Sequence, residues 1–375
     1  MSVSFARTDT SVLGRWWWTI DRWILVALGA LIGIGIILTF AASPPSAGRI
    51  GLDSYHFVKQ QMFYVPMGVL IVLSVSLLSP RGIKRIAIPL FFIALILTAL
   101  TLVAGAEYKG ARRWLSLAGM SVQPSELLKP TFAVFAAWLF SLQRLQPRFP
   151  GNAIAIVSYV AVAGLLILQP DLGMTGVITA VWFTQFFVSG LRIYWIALIG
   201  AAGIAGLVGA YVALPHVTVR INSFLDPASG DTYQVDRSLE AFMNGGFFGR
   251  GPGEGTVKAS LPDAHSDFIF AVAGEEFGMV TCLAIIVLYG FIVLRGFARV
   301  LEVDNLFVLL AAVGLATGFG LQAFVNMAST LSMIPTKGMT LPFISYGGSS
   351  LMALAFGMGM LLALTRRRAG AGELR

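Results

Sequence analysis

The chain has 375 residues, 57% of them hydrophobic and only 12% charged, with 26 Lys and Arg against 18 Asp and Glu for a formal net charge of +8. A soluble domain is about 45–50% apolar and about 25% charged, so a freely soluble protein is excluded and the solvent for most of this surface is lipid. One cysteine, Cys282, excludes an internal disulfide and a thiolate metal site, and His56, His216 and His265 lack the spacing of a zinc site.

A spanning helix needs roughly 20 mostly apolar residues. In chain order such runs fall at 23–43, 59–78, 86–105, 124–142, 153–168, 172–189, 193–214, 268–294, 305–331 and 342–364. The first is long enough to span and lacks the form of a cleavable signal, so it reads as a retained helix. Trp16, Trp17 and Trp18 before it suit an interfacial anchor. The fifth and sixth runs are short and meet at Gln169, Pro170 and Asp171, the signature of a tight hairpin. The expected fold is therefore all-α: a polytopic integral membrane protein of about ten transmembrane helices. One long extracytoplasmic loop, 215–266, joins helices 7 and 8. Residues 1–22 read as a cytoplasmic segment, 23–364 as the membrane domain and 365–375 as a basic cytoplasmic tail.

Orientation follows from the short loops, because Lys and Arg accumulate on the cytoplasmic side. Arg7, Arg15, Arg22, Arg81, Lys84, Arg85, Arg144, Arg148, Arg192, Arg295, Arg299, Arg366, Arg367, Arg368 and Arg375 all fall on one side. Both termini are then inside. This accounts for the positive charge without nucleic acid. The loop 215–266 is too long to be a plain connection, and pieces such as Arg237 to Met243 are helix-compatible, so order and a return to the membrane surface are expected.

Polar groups at membrane depth are costly and mark function. Lys109, Arg112, Arg113 and Trp114 precede Gln123, Pro124, Ser125, Glu126 and Lys129. Four cations beside an outward helix start suit a phosphate or pyrophosphate; lipid-headgroup anchoring is the alternative. Asp267 follows Leu261, Pro262, Asp263, Ala264, His265 and Ser266 and precedes Phe268, Ile269 and Phe270. A carboxylate beside large apolar residues becomes a better base, yet Asp267 or Ser266 could equally cap the helix. Glu275 and Glu276 lie off the Asp267 face and read as a packed or salt-bridged pair, with proton transport as the alternative. The glycine run 245–253 lacks the Gly-Lys-Ser/Thr ending of a phosphate loop and reads as tight turns. Lys337 and Gly338 are followed by Leu341-Pro342-Phe343-Ile344-Ser345-Tyr346-Gly347-Gly348-Ser349-Ser350, where small residues permit close helix packing or a bend lining a cavity.

Together these segments resemble the SEDS family (shape, elongation, division and sporulation) of polytopic peptidoglycan polymerases. The matching blocks are 109–114, 123–129, 169–173, 233–234, 245–253, 261–276 and 335–350, in the family's order. The Pro-Thr-Lys-Gly-Met-Thr-Leu-Pro-Phe stretch is similar to the cell-division branch rather than the elongation branch. The family's usual Leu-Pro-Glu-Ala-His-Thr-Asp reads Leu-Pro-Asp-Ala-His-Ser-Asp here. The resemblance implies a glycosyltransferase that polymerises lipid II outside the cytoplasmic membrane, with Asp267 as the catalytic residue. It implies a substrate- and pyrophosphate-binding set of Lys109, Arg112, Arg113, Trp114, Gln123, Ser125, Glu126, Lys129, His265, Lys337, Ser345, Tyr346 and Ser349. No sugar nucleotide is required; a divalent cation, magnesium or manganese, could assist, although no metal cage is visible. Implied partners are lipid II, the nascent glycan strand, a class B penicillin-binding protein (the transpeptidase) and other divisome membrane proteins at the septum of a bacterial inner membrane. The rival readings are a lipid II flippase and a non-catalytic scaffold for the transpeptidase.

Overall fold

The computed structural model describes residues 11–108, 111–117, 120–190, 193–213, 215–226, 232–301, 303–335 and 338–367. A short helix α1 (Val12–Thr19) carries the three tryptophans, and Arg22 lies over the rings of Trp17 and Trp18. Then come α2 (Arg22–Arg49), α3 (His56–Ser76) and α4 (Pro80–Ala104). Ser79 accepts from the Gly82 N–H and Pro80 takes the first turn of α4, where no donor is needed. After α4 come α5 (Pro124–Leu145), α6 (Gly151–Leu168), α7 (Leu172–Val188), α8 (Ile193–Ala213), α9 (Pro215–Leu225) and α10 (Tyr233–Gly245). The last three are α11 (Ile269–Val300), α12 (Leu306–Thr330) and α13 (Gly348–Leu364). Among the described residues, α2, α3, α4, α6, α11 and α12 are long and apolar enough to cross a membrane, and α7 and α13 are shorter apolar helices.

Burial separates centre from periphery. The apolar window of α12 is 61% buried, against 28% in α4, α6 and α11. Helix α12 packs against α5, α7, α11 and α13, while α3 lies on α13 and α4 on α5. The outward faces carry exposed Leu70, Val103 and Val287, the arrangement expected where lipid tails replace water. With no hydrophobic drive between helices in lipid, polar bridges and close packing hold the centre. Gln185 of α7 donates to the carbonyls of Ala133 in α5, at 2.7 Å, and Leu310 in α12, at 3.0 Å.

Three features depart from expectation. The all-α reading is corrected by a small antiparallel sheet between α4 and α5, in the order β1 (Ala106–Tyr108), β2 (Ala111–Leu117), β3 (Met120–Val122). The run expected to be helical from 342 is irregular until Gly348. Pro342 supplies no N–H, and Ser345 Oγ takes the Leu341 N–H at 2.7 Å instead.

The third departure lies inside α11, which breaks at Gly278 (φ +76°, ψ −179°). A side chain there would drive its Cβ into the Gly249 nitrogen and the Phe247 carbonyl. The glycine run enters the break and satisfies the opened backbone. Arg250 and Gly251 N–H groups donate to the carbonyls of Glu275 and Glu276 at 2.9 and 3.0 Å. The carbonyls of Gly246 and Phe247 accept from Met279 and Val280 at 2.9 and 3.2 Å. Non-helical backbone at membrane depth survives only when its polar groups are paired in this way.

Candidate active site

The turn that presents Asp267 is built around the Asp263 carbonyl, which receives the N–H groups of Ser266, Asp267 and Phe268 at 3.0, 3.1 and 3.3 Å. The residue preceding α11 is Phe268, and no side chain caps the helix. The Asp267 carboxylate is therefore not consumed as a cap. It lies against Gly338, where a Cβ would stand 3.2 Å from Oδ2.

Three elements clamp this turn. Asn326 of α12 donates to the Asp267 carbonyl at 2.8 Å and to the Met339 carbonyl at 2.6 Å. Ser345 donates to the Ser266 carbonyl at 2.5 Å. The Tyr346 N–H reaches the His265 carbonyl at 3.0 Å. The His265 ring stacks on Phe57 of α3, centroids 3.8 Å apart and planes 16° apart. Burial lowers the His265 pKa to about 4, with Asp263 opposing, so the ring is neutral at pH 7. The Tyr346 hydroxyl donates to the Gln60 side-chain carbonyl.

Asp267 opens on a cavity of about 1020 Å³. Of the residues singled out from sequence, Arg113, Trp114, Gln123, Glu126, His265, Tyr346 and Ser349 line it with Asp267. Segments far apart in the chain thus converge on one chamber. Lys109 and Lys337 lie outside the described residues. Ser125 is buried and accepts from Gln123 Nε2 at 3.2 Å. Ser345 holds the turn rather than the chamber wall.

Arg112 and Arg113 are neighbours in β2, and successive strand residues point to opposite faces. Arg112 leaves the chamber and pairs at 3.3 Å with Glu107, both about half exposed. Arg113 faces inward but is engaged. Its Nε donates to the Gln169 carbonyl at 2.9 Å, its Nη2 to the Pro170 carbonyl at 2.5 Å, and Nη1 stands 3.6 Å from Asp171 Oδ2. Arg113 therefore fastens the sheet to the α6–α7 hairpin. Lys129 pairs with Glu126 at 2.8 Å and donates to Gln322 of α12. This buried pair heads a second, narrow cavity of about 40 Å³ between α5, α7, α12 and α13.

Glu275 and Glu276 belong to the scaffold. The Glu275 carboxylate accepts from the N–H groups of Thr256, Val257 and Lys258 and from Asn244 Nδ2, all at 2.7–2.8 Å. Glu276 forms a buried ion pair with Lys258. The two carboxylates anchor the segment that follows α10 to α11, which matches the packed-pair reading.

Sequence reasoning missed the outer end of α3, where Lys59, Gln60, Phe63 and Tyr64 all line the chamber. Their spacing, i, i+1, i+4 and i+5, marks one helix face, and a Lys-Gln pair at the head of an apolar run was the available signal.

The chain matches the family model for FtsW, RodA and SpoVE, described as cell cycle protein, over residues 22–370. It is 44% identical over 98% of its length to a Caulobacter vibrioides protein named "Probable peptidoglycan glycosyltransferase FtsW", covering 95% of that protein. A Trichlorobacter lovleyi protein of the same name is 35% identical over 92% of this chain and 93% of its own. Among solved structures, a peptidoglycan synthase complex described as coordinating polymerization and crosslinking matches with TM-score 0.75 and 30% identity, over 92% of this chain and 97% of that one. The Thermus thermophilus rod shape determining protein RodA matches with TM-score 0.67 and 29% identity, over 93% and 97%.

Proposed function

The chain belongs to the FtsW, RodA and SpoVE family of multi-pass membrane proteins, and from that membership together with the chamber at Asp267 we propose that it is a peptidoglycan glycosyltransferase of the cell-division branch. It polymerises lipid II at the outer face of the bacterial cytoplasmic membrane during septal wall synthesis. The naming of its 44%-identical relative supports the division role. The observation that carries the reading is Asp267 lining a chamber large enough for sugar units, on a turn whose backbone carbonyls at Asp267 and Ser266 are held by Asn326 of α12 and by Ser345.

In the reaction, a sugar hydroxyl of one lipid II attacks the anomeric carbon of a lipid-linked strand. The new C–O bond forms as the bond to undecaprenyl diphosphate breaks, with inversion. Asp267 takes the hydroxyl proton as general base, a role contributing roughly 10²–10⁴-fold. Cations and backbone donors at the chamber offset charge developing on the diphosphate. Among the described residues no group of three His, Cys, Asp or Glu is placed to hold a metal ion; a divalent cation, were one to assist, would act at Asp267 and the diphosphate, offsetting negative charge there.

The proposed topology has ten spans, with 215–266 outside and both termini inside, and the gathering of charge away from Asp267 supports it. Asp21, Arg295, Arg299 and Arg366 gather at the end of the bundle opposite Asp267. The partner of the proposed enzyme is a class B penicillin-binding protein, supported by the similarity to the synthase complex.

The test is strand formation from labelled lipid II by purified protein, alone and with its transpeptidase. Wild type is expected to make glycan strands, and folded Asp267→Ala and Asp267→Asn are expected to make none. Polymerisation by both variants would remove Asp267 from the mechanism. No strands from any preparation, with lipid II scrambled across vesicles, would replace the polymerase by a flippase.

A further inference from the structure

A diphosphate leaving group needs a cation that can move onto it, and the arginines first suspected are engaged elsewhere. Arg112 lies outside the chamber, and Arg113 is held by two carbonyls and Asp171. Lys129 is buried against Glu126 and Gln322. Among the described residues, two cations line the chamber, Arg113 and Lys59. Lys59 is of a different kind. Its side chain is 73% exposed, and its partner is Asp53, 2.6 Å away and 56% exposed. An exposed pair of this sort is weak in water, so Lys59 can exchange Asp53 for a stronger anion with little loss.

Position selects the anion. Lys59 stands in the first turn of α3, beside Gln60, whose carbonyl is fixed by Tyr346. One turn further, the helix becomes a lipid-facing surface, with Met62, Met67 and Leu70 exposed. Lys59 is thus at the level where bilayer gives way to water, on the wall of the chamber that holds Asp267. A polyprenyl-linked diphosphate lies at that level because its chain is in the bilayer. Stem-peptide carboxylates are separated from the chain by the sugars and lie further out. A lysine ammonium on a flexible stem is a mobile point charge suited to phosphate.

We propose that Lys59 is a diphosphate-binding residue of the chamber, with Asp53 as its resting counter-ion, released when the lipid-linked substrate arrives. The substrate class rests on the glycosyltransferase reading, but the binding site does not require turnover.

The experiment measures binding of undecaprenyl diphosphate and undecaprenyl monophosphate to the full-length protein in nanodiscs, with strand formation assayed in parallel. Lys59→Ala is expected to weaken diphosphate binding roughly tenfold or more, as loss of a charge-assisted contact requires. Lys59→Arg restores most of it. Asp53→Asn leaves it unweakened. Discrimination between diphosphate and monophosphate narrows in Lys59→Ala. Equal diphosphate affinity in wild type and Lys59→Ala overturns the proposal, as does a loss in Asp53→Asn matching that in Lys59→Ala, since Lys59 would then act only through its pair. Diphosphate binding that depends on Lys59 in a protein making no strands would keep the site and remove the polymerase reading. Strands from wild type with Lys59-independent binding would do the reverse.

Discussion

At the scale of single residues, the chamber depends on side chains that hold its walls together as well as line it. His265 is the clearest case. Its Nδ1 is buried without a partner among the described residues, its ring stacks on Phe57, and its backbone carbonyl accepts from the Tyr346 N–H. Burial, partly opposed by Asp263, places its pKa at about 4 against an ordinary value of 6.5. The sign follows from linkage. The unfolded chain takes a proton here as pH falls below about 6.5, and the folded chain does not until about 4, so His265 subtracts stability progressively across that window. His265→Phe keeps the stack and removes the titration. Thermal unfolding at pH 7 and pH 5 is expected to show a larger fall for wild type than for His265→Phe, by about 2 °C or more. Equal falls would mean that the ring is not buried neutral.

At the scale of elements, the apolar runs were legible because lipid demands length and hydrophobicity, and each of them is helical over most of its extent. What escaped was structure set by backbone pairing. The sheet pairs Tyr108 with Ala111 and Leu117 with Met120, strands too short to carry a clear alternation, and the cations of the stretch pointed to charge instead. Strand alternation then separated Arg112 from Arg113, which a linear reading treats as equals. The break in α11 was illegible because Gly278 is an ordinary glycine until the run 246–251 is seen to enter beside it.

That insertion is held by the Lys258–Glu276 pair, with Glu276 1% exposed and Lys258 6%. Removing one member of a buried pair leaves the other unpaired, at about 3–5 kcal/mol. Lys258→Met is therefore expected to loosen 246–260 and raise its cleavage in limited proteolysis. Lys258→Met with Glu276→Leu is expected to recover most of the protection, because neither charge is then stranded. A double variant as labile as the single would show that the pair does more than neutralise itself.

At the scale of the whole molecule, polar chemistry is divided between the two ends of the bundle. The end opposite the chamber is closed by Asp21, which caps α2 through the N–H groups of Trp23 and Ile24. Its carboxylate also receives Arg295 Nε at 2.8 Å and Arg299 Nε at 2.6 Å, near the far end of α11. Burial of Asp21 would raise its pKa, but the two guanidinium groups outweigh it and hold the carboxyl below its ordinary value. Its stabilising effect is thus complete above the ordinary carboxylate pKa of about 3.9 and is lost only as pH falls through the lower folded value. At pH 7, Asp21→Asn keeps a cap acceptor and loses the ionic bonds, at about 1–3 kcal/mol, read as a lower unfolding temperature that does not vary above about pH 5. Asp267 and Arg295 are 28 positions apart along α11 and its entry turn, at most roughly 40 Å at 1.5 Å per residue, less whatever the break at Gly278 takes from that length. Groups so far apart act additively unless a two-state element joins them. Strand formation per folded Asp21→Asn molecule is therefore expected to equal wild type. A loss of polymerisation in fully folded Asp21→Asn would mean that the clasp and the chamber are coupled through α11, with the glycine-filled break at Gly278 as the element able to transmit or absorb the movement.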